Sequence, residues 1–460
     1  MSIMAHQPGW AEQDPEMWWK NLITATKKIT GKFPVQSKEI GGIGISYQMH
    51  GLVLVDKDQN VIRPSIIWCD SRAVETGKKA FEEIGRKKCL ENLLNSPGNF
   101  TASKLKWVKD NEPEIYGKIY KMMLPGDYIA MKLTGEINTT VSGLSEGIFW
   151  DFKKYNIADF LLNYYGLDPD FIPVVVPTFT EQVKLSKTAA GDLGLKPGIK
   201  VAYRAGDQPN NAFSLNVLNP GEIAATAGTS GVVYGISEEI KYDPKSRVNT
   251  FIHVNHEKQK NRLGILLCIN GTGILNSWLK RNFLSPGLDY VEMNKLASKV
   301  PIGSENVSVL PFGNGAERML QDQDIGSQIV GLNFNIHTNA HIFRAAQEGI
   351  VFAFKYGMDI MKDMGIRHSV IRAGNTNMFL SPVFRETLAG ISGSYIVLYN
   401  TDGSQGAARA AGVGTGYFRS FEDAFSGLKK IDTIEPDIVR KDQYEDAYKR
   451  WTGILKTFME

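Results

Sequence analysis

The sequence predicts an α/β protein of two domains. Short apolar runs of strand length alternate with longer stretches whose apolar residues recur at helical spacing, which is the pattern of sheets layered with helices. The chain's 460 residues exceed what one simple core organises. Its 45 glycines suit the tight strand-to-helix turns that such layers require.

The elements follow in order. Asp14 is placed to cap a first helix, Pro15 suits its first position, and Met17, Trp18, Leu22 and Ile23 form its apolar stripe. Residues 39–46 and 51–56 are short apolar strands, and Lys57-Asp58-Gln59-Asn60 turns the chain back; between the strands stands Gln48-Met49-His50-Gly51. Stretches 73–94 and 103–111 read as helices, and 121–134 with the Ser/Gly-rich 139–147 lead to the run Val174-Val175-Val176. We therefore expect a first domain over 1–216 and a second over 217–460. The second starts with the turn Pro220-Gly221, a strand over 222–227, the glycine turn 228–231 and a hairpin-like segment reaching His253. A strand over 264–270 ends at Gly271-Thr272-Gly273, before a helix with Trp278 and Leu279. Residues 307–312 form a buried strand. Ile342, Ala346, Ile350 and Phe354 mark a long helix over 339–364. The chain closes with strand 369–372, turn 373–377, helix 382–391, strand 395–398 and an alanine-rich helix over 404–412.

Charge and cysteine usage exclude several classes. Lys and Arg number 52 against 49 Asp and Glu, a net +3 without a like-charged block, so nothing asks for nucleic acid. Cys69, Cys89 and Cys268 form no CxxC pair, which argues against a disulfide framework or a zinc site and for a reducing cytoplasm. No apolar run reaches membrane-span length, and the first residues lack a signal core, so a soluble, cytoplasmic protein is expected.

Asp207 is the most informative residue. It ends Val201-Ala202-Tyr203-Arg204-Ala205-Gly206, and the turn Gly228-Thr229-Ser230-Gly231 follows closely. Glycines let backbone N–H groups approach an anion, and a carboxylate can take a proton from an attacking hydroxyl; together they suggest phosphoryl transfer to an alcohol. An ordinary turn aspartate and an ordinary Gly-Thr-Ser turn are the bland alternatives. Gln48, Met49 and His50 place an amide, a thioether and an imidazole at a strand end, where sugar hydroxyls could be bound. Trp68, Asp70 and Arg72 add a flat face, a carboxylate and a guanidinium, against the alternative of a surface salt bridge beside a core tryptophan. No Walker A sequence is present, which excludes a P-loop kinase, and Gly412-Val413-Gly414-Thr415-Gly416 follows a helix and reads as its end. His253 and His256 lack a third ligand nearby and read as structural, and no metal-ligating residue is assigned.

These residues resemble the FGGY carbohydrate kinases over nearly the whole chain. Gly9 to Pro15 with Trp18-Trp19 is similar to the family's N-terminal stretch, and Gln48 to Gly51 with Trp68 to Arg72 to its sugar segments. Thr101-Ala102-Ser103-Lys104-Leu105-Lys106-Trp107-Val108 resembles the first family signature. Residues 327–331, continued by His341-Ile342 and 345–348, resemble the second, with Gln347 where an apolar residue is usual.

The resemblance implies two actin-like domains of the ribonuclease H type around a central cleft. It implies ATP and Mg²⁺ as cofactors, with phosphorylation of D-xylulose or, alternatively, of ribulose, fuculose, gluconate or glycerol. Asp207 would be the general base, with Gln48, Met49, His50, Trp68, Asp70 and Arg72 binding the sugar. Gly228, Thr229, Ser230, Gly271, Thr272 and Gly273 would hold the nucleotide's phosphates, and Gly374, Asn375 and Asn377 its adenosine. A homodimer is the assembly it suggests, with no nucleic acid or membrane partner. A noncatalytic binding protein or an actin-like ATPase is the rival of another class. The family opens with a strand and an Asp-Gly-Thr/Ser phosphate hairpin that nothing before Trp10 matches. On this reading the chain starts late and lacks one phosphate contact.

Overall fold

The computed structural model describes residues 2–33 and 39–460. The chain divides into two compact units. The first comprises residues 1–216, 251–263 and 402–427, and the second residues 217–250, 264–401 and 428–460.

The first unit is built on strands Gly42–Tyr47 and Lys200–Gly206, which run parallel, with Val183–Lys184 antiparallel beyond the latter. Their register sets Gly206 opposite Tyr47, so both strands end at the same level. Helix Pro15–Lys32 begins as its sequence predicts, with the Asp14 carboxylate accepting the Glu16 N–H at 2.9 Å. Trp18 and Trp19 bury against Ile45, Tyr47, Val53, Tyr128 and Val201 in the unit's core. Helix Gly403–Gly414 lies directly on the two parallel strands, and the contact demands small residues: a Cβ at Gly44 would run into the Ala407 carbonyl. The stretch 73–94 is two helices, Val74–Glu83 and Arg86–Leu93, because Gly85 adopts a φ of 101° and breaks the run.

In the second unit a sheet places Leu263–Ile269, Gly231–Ser237, Ile223–Ala227, Val370–Gly374, Tyr395–Tyr399 and Lys430–Ile434 side by side in that order. Ile223–Ala227 is parallel to Val370–Gly374, which is parallel to Tyr395–Tyr399. Helix Asn339–Asp363 buries Ile342, Ala346, Ile350 and Phe354, as its spacing predicts. The hairpin Ser308–Phe312 with Gly326–Val330 is pinned by the final helix, Lys441–Met459, whose Trp451 Nε1 donates to the Val309 carbonyl at 2.8 Å.

Candidate active site

The register of the two parallel strands builds the first half of the site. Tyr47 runs on into Gln48-Met49-His50 and Gly206 into Asp207, so both groups emerge at the same end of neighbouring strands. Carboxyl ends of parallel strands are where α/β sheets hold ligands. Asp207 opens helix Asp207–Ser214. Its carboxylate accepts the backbone N–H groups of Met49, Gln208 and its own residue, and the Gln208 Nε2 at 2.9 Å. Burial nevertheless holds the Asp207 carboxyl above the usual aspartate range. Gly206 is required by the packing here, since a Cβ would stand 2.5 Å from Met49 Cγ and overlap the Glu146 carboxyl group.

His50 is held at three points. Its φ of 62° puts it in the left-handed region, uncommon for a non-glycine residue. Its backbone N–H donates to the Glu146 side chain, and its carbonyl accepts from Lys104 Nζ at 2.8 Å. Its Nδ1 lies 2.9 Å from the Glu146 carbonyl oxygen. A carbonyl only accepts, so Nδ1 carries the proton and Nε2 is the acceptor of the neutral ring. Phe100 and Phe251 flank the imidazole, with centroids at 4.8 and 5.4 Å. Met49 is buried, and Gln48 Nε2 donates to Gln13 Oε1 at 3.1 Å.

The second proposed sugar segment has the opposite burial from its bland alternative. Trp68 is 56% exposed, whereas Asp70 is fully buried. Asp70 accepts the Ala11 N–H at 2.6 Å and pairs with Arg72 at 2.7 Å. Arg72 also pairs with Glu12 at 2.8 Å and lies 3.8 Å above the Trp10 ring. Asp70 and Arg72 thus face each other in a buried network, and Trp68 is the surface that segment presents. Lys104, fully buried on helix Thr101–Asn111, ties the two segments together through His50 O and Ile67 O, the latter at 2.9 Å. Burial pulls its ammonium down to about 7, against the opposing pull of Asp70. Outside this cluster, His256 stacks on Tyr155 with its Nε2 2.8 Å from the phenol oxygen, and burial draws its ring down to about 4.

The second unit holds a cavity of about 580 Å³. Gly228, Thr229, Gly273 and Asn377 line it, joined by Asn276, Ser277, Arg281, Tyr290 and Asn294. Two backbone bonds build its floor: Gly273 N–H to Gly228 O at 2.9 Å and Ile274 N–H to Thr229 O at 3.1 Å. Gly273 begins helix Gly273–Phe283, so the positive end of a helix dipole stands beside the Gly228-Thr229 turn, with the Gly273 and Ile274 N–H groups already donated to that turn's carbonyls. A Cβ at Gly273 would collide with the Gly228 carbonyl and one at Gly271 with the Pro311 carbonyl. Thr272 is buried, with its hydroxyl on Ile269 O at 3.1 Å. Of the other residues assigned to the nucleotide, Ser230, Gly271, Thr272, Gly374 and Asn375 are not in this lining, and Gly271 lines a separate cavity of about 420 Å³. Gly374 ends strand Val370–Gly374, Asn375 N–H bonds Tyr399 O, and Asn377, at φ 54°, begins a short helical turn that reaches the cavity. Glu317 accepts the Asn270 N–H at 2.8 Å just before the glycine loop, and burial pushes its carboxyl up to about 8.

The model of the FGGY family of carbohydrate kinases matches in both parts, its N-terminal domain at residues 1–214 and its C-terminal domain at 223–414. The chain belongs to the FGGY family of carbohydrate kinases. Among its FGGY relatives, the xylulose kinase of Bacillus subtilis is 29% identical, over 98% of this chain and 90% of that one. The xylulose kinase of Escherichia coli is 28% identical, over 97% and 90%. The crystal structure of xylulose kinase from Rhodospirillum rubrum aligns with a TM-score of 0.89 at 25% identity, over 99% and 92%. The fold is accordingly the two-domain, actin-like FGGY fold, and the protein is a sugar kinase.

Sequence reasoning gave no role to Glu146, Glu317 or Lys104, the last named only within the first family signature, although all three are buried and bonded to site segments. For Glu146 a signal existed, because it is the only charged residue between Glu136 and Asp151. Among the described residues no group of three His, Cys, Asp or Glu side chains is placed to hold a metal, and no helix is long and apolar enough to cross a membrane. Cys69, Cys89 and Cys268 are free thiols.

Proposed function

We propose that the protein transfers the γ-phosphoryl group of ATP to D-xylulose, giving D-xylulose 5-phosphate and ADP. One observation carries the reading. The register that sets Gly206 against Tyr47 brings a buried carboxylate and the Met49-His50 pair to one strand end, in a chain whose relatives include xylulose kinases.

Asp207 takes the proton of the attacking primary hydroxyl. Its raised pKa makes it a stronger base than a solvated aspartate, and such a base supplies about 10²–10⁴-fold. The base works when ionised, so kcat/KM rises as pH rises through that elevated value. His50 Nε2 accepts a sugar hydroxyl, and Met49 and the exposed Trp68 supply apolar surface. Asp70 and Arg72 act by holding Trp68 and the chain around Ala11 in place. The nucleotide occupies the 580 Å³ cavity, with phosphates on the Gly228-Thr229 turn and the Gly273 helix end and its adenosine toward Asn377. Gly374 and Asn375 shape that rim through the backbone. Among the described residues no acidic cluster is placed to hold Mg²⁺, so the ion would be carried by the nucleotide's phosphates, where it would neutralise charge.

ADP release from Mg²⁺-ATP across a panel of ketopentoses, gluconate and glycerol tests this, with a no-sugar blank. Stimulation by D-xylulose above the others is expected. Stimulation by another sugar moves the substrate, and sugar-independent hydrolysis alone refutes the kinase assignment. Asp207→Ala is expected to abolish transfer while sugar binding, read by calorimetry, persists; normal turnover would remove Asp207 as the base.

A further inference from the structure

Glu146 is the carboxyl group that the reaction as described leaves unused. It closes helix Val141–Glu146 and is 2% exposed. Its carboxyl group accepts the His50 N–H and the Tyr47 hydroxyl, and Oε2 occupies the space left by the missing Gly206 side chain. Oε1 is buried without a hydrogen-bond partner among the described residues. A buried carboxylate oxygen left bare is costly, whereas a carboxylic acid with one oxygen protonated tolerates such a site far better.

The surrounding groups push the same way. Facing Glu146 are Asp207 from helix Asp207–Ser214, Asp127 from helix Pro125–Thr134, Tyr47 from strand Gly42–Tyr47 and the His50 backbone. Asp127 is itself paired with Arg204 at 3.2 Å. Burial first, then the charges of Asp207 and Asp127, hold the Glu146 carboxyl well above the usual glutamate range. Two neighbouring carboxyl groups do not both ionise easily, and the one with fewer donors on its oxygens, two against the four of Asp207, keeps the proton. Asp207, with three backbone N–H groups and an amide on its oxygens, is the one equipped to carry the charge.

We propose that Glu146 is a positioning residue of the phosphotransfer site, a carboxylic acid that retains its proton, fixes His50 in its left-handed conformation and leaves Asp207 as the ionised member of the pair. The inference rests on Asp207 being the base.

The test compares kcat/KM for sugar against pH in the full chain for wild type, Glu146→Gln and Glu146→Met, with Asp207→Ala in parallel. Glutamine replaces a neutral acid with a neutral amide that still accepts from His50 and Tyr47. It should lower kcat/KM only a few-fold and leave the acid limb where it is. Methionine is neutral but offers no such acceptor. It should lower kcat/KM for sugar about 10- to 100-fold while leaving the KM for ATP unmoved. A purely structural role would reduce both substrates' parameters through the folded fraction alone. If Glu146→Gln moves the acid limb to lower pH by on the order of one unit, Glu146 is ionised in the wild type and the inference fails. If Glu146→Met matches wild type, its positioning role fails. Should the glutamine variant not fold, the methionine variant, equally uncharged, reads the acid limb instead. Normal turnover by Asp207→Ala would instead strike at the base assignment, which separates the two failures.

Discussion

Replacing Lys104 with methionine should flatten the pH dependence of stability. The ammonium is fully buried and donates to two main-chain carbonyls, and burial draws it from its ordinary 10.5 to about 7. The sign follows from proton counting. Below pH 7 both folded and unfolded chains carry the proton. Between about 7 and 10.5 the unfolded lysine stays protonated while the folded one has released its proton, so stability rises with pH across that window. The full displacement sets an upper bound of about 5 kcal/mol, and the share falling between pH 7 and pH 9 is on the order of 2 kcal/mol. Lys104→Met removes this rise, and it also orphans the His50 and Ile67 carbonyls at about 1–3 kcal/mol each. Urea unfolding followed by tryptophan fluorescence at several pH values measures both effects, and Trp10, Trp18, Trp19, Trp68, Trp107 and Trp150 all report on the first unit. The gap between wild type and variant should widen by on the order of 2 kcal/mol from pH 7 to pH 9. Parallel curves would refute the argument, because they would mean that the lysine keeps its charge in the folded chain.

Two further outcomes follow from the second unit. Gly273→Ala should raise the KM for ATP at least about tenfold and leave the sugar KM in place, since its Cβ drives the helix end away from Gly228; initial rates at varied ATP check this. Glu317 titrates near 8 in the fold against an ordinary 4.5, so its contribution to stability is complete below 4.5 and is lost as pH rises through 8. Glu317→Gln, which still accepts the Asn270 N–H, should therefore gain in Tm over wild type by about 2–4 °C more at pH 8 than at pH 5, read by scanning calorimetry.

What the sequence made legible was local. Asp14 and Pro15 announce a helix start whose cap is the one observed, and the 3.6-residue spacing of Ile342, Ala346, Ile350 and Phe354 marks the buried face of the long helix. Glycines at 271 and 273 mark close backbone approaches that their virtual Cβ positions make plain. Illegible features were those set by tertiary burial. Lys104 stands between Ser103 and Leu105 in a signature, and nothing local distinguishes a buried ammonium from a solvated one. Asp70 and Arg72 sit two residues from Trp68, yet the charges are buried and the ring is exposed because Trp10 and Glu12 close over the guanidinium. The break at Gly85 changes the buried face: Ala80 and Phe81 before it and Cys89, Leu90 and Leu93 after it would lie on opposite sides of one unbroken helix, a shift that the richness in apolar residues hides.

The crossing of the chain between units has a consequence for synthesis. Helix Gly403–Gly414 covers strands that belong to the first 206 residues. At roughly 5–20 residues per second, about 10–40 s pass between the emergence of residue 216 and that of residue 402. Throughout that interval the glycine-lined face of Gly42–Tyr47 waits without its cover. The nascent chain therefore carries an unfinished first unit almost to the end of translation, a natural client for a holding chaperone. Cutting the gene between residues 214 and 223 would likewise yield an N-terminal fragment with that face permanently bare.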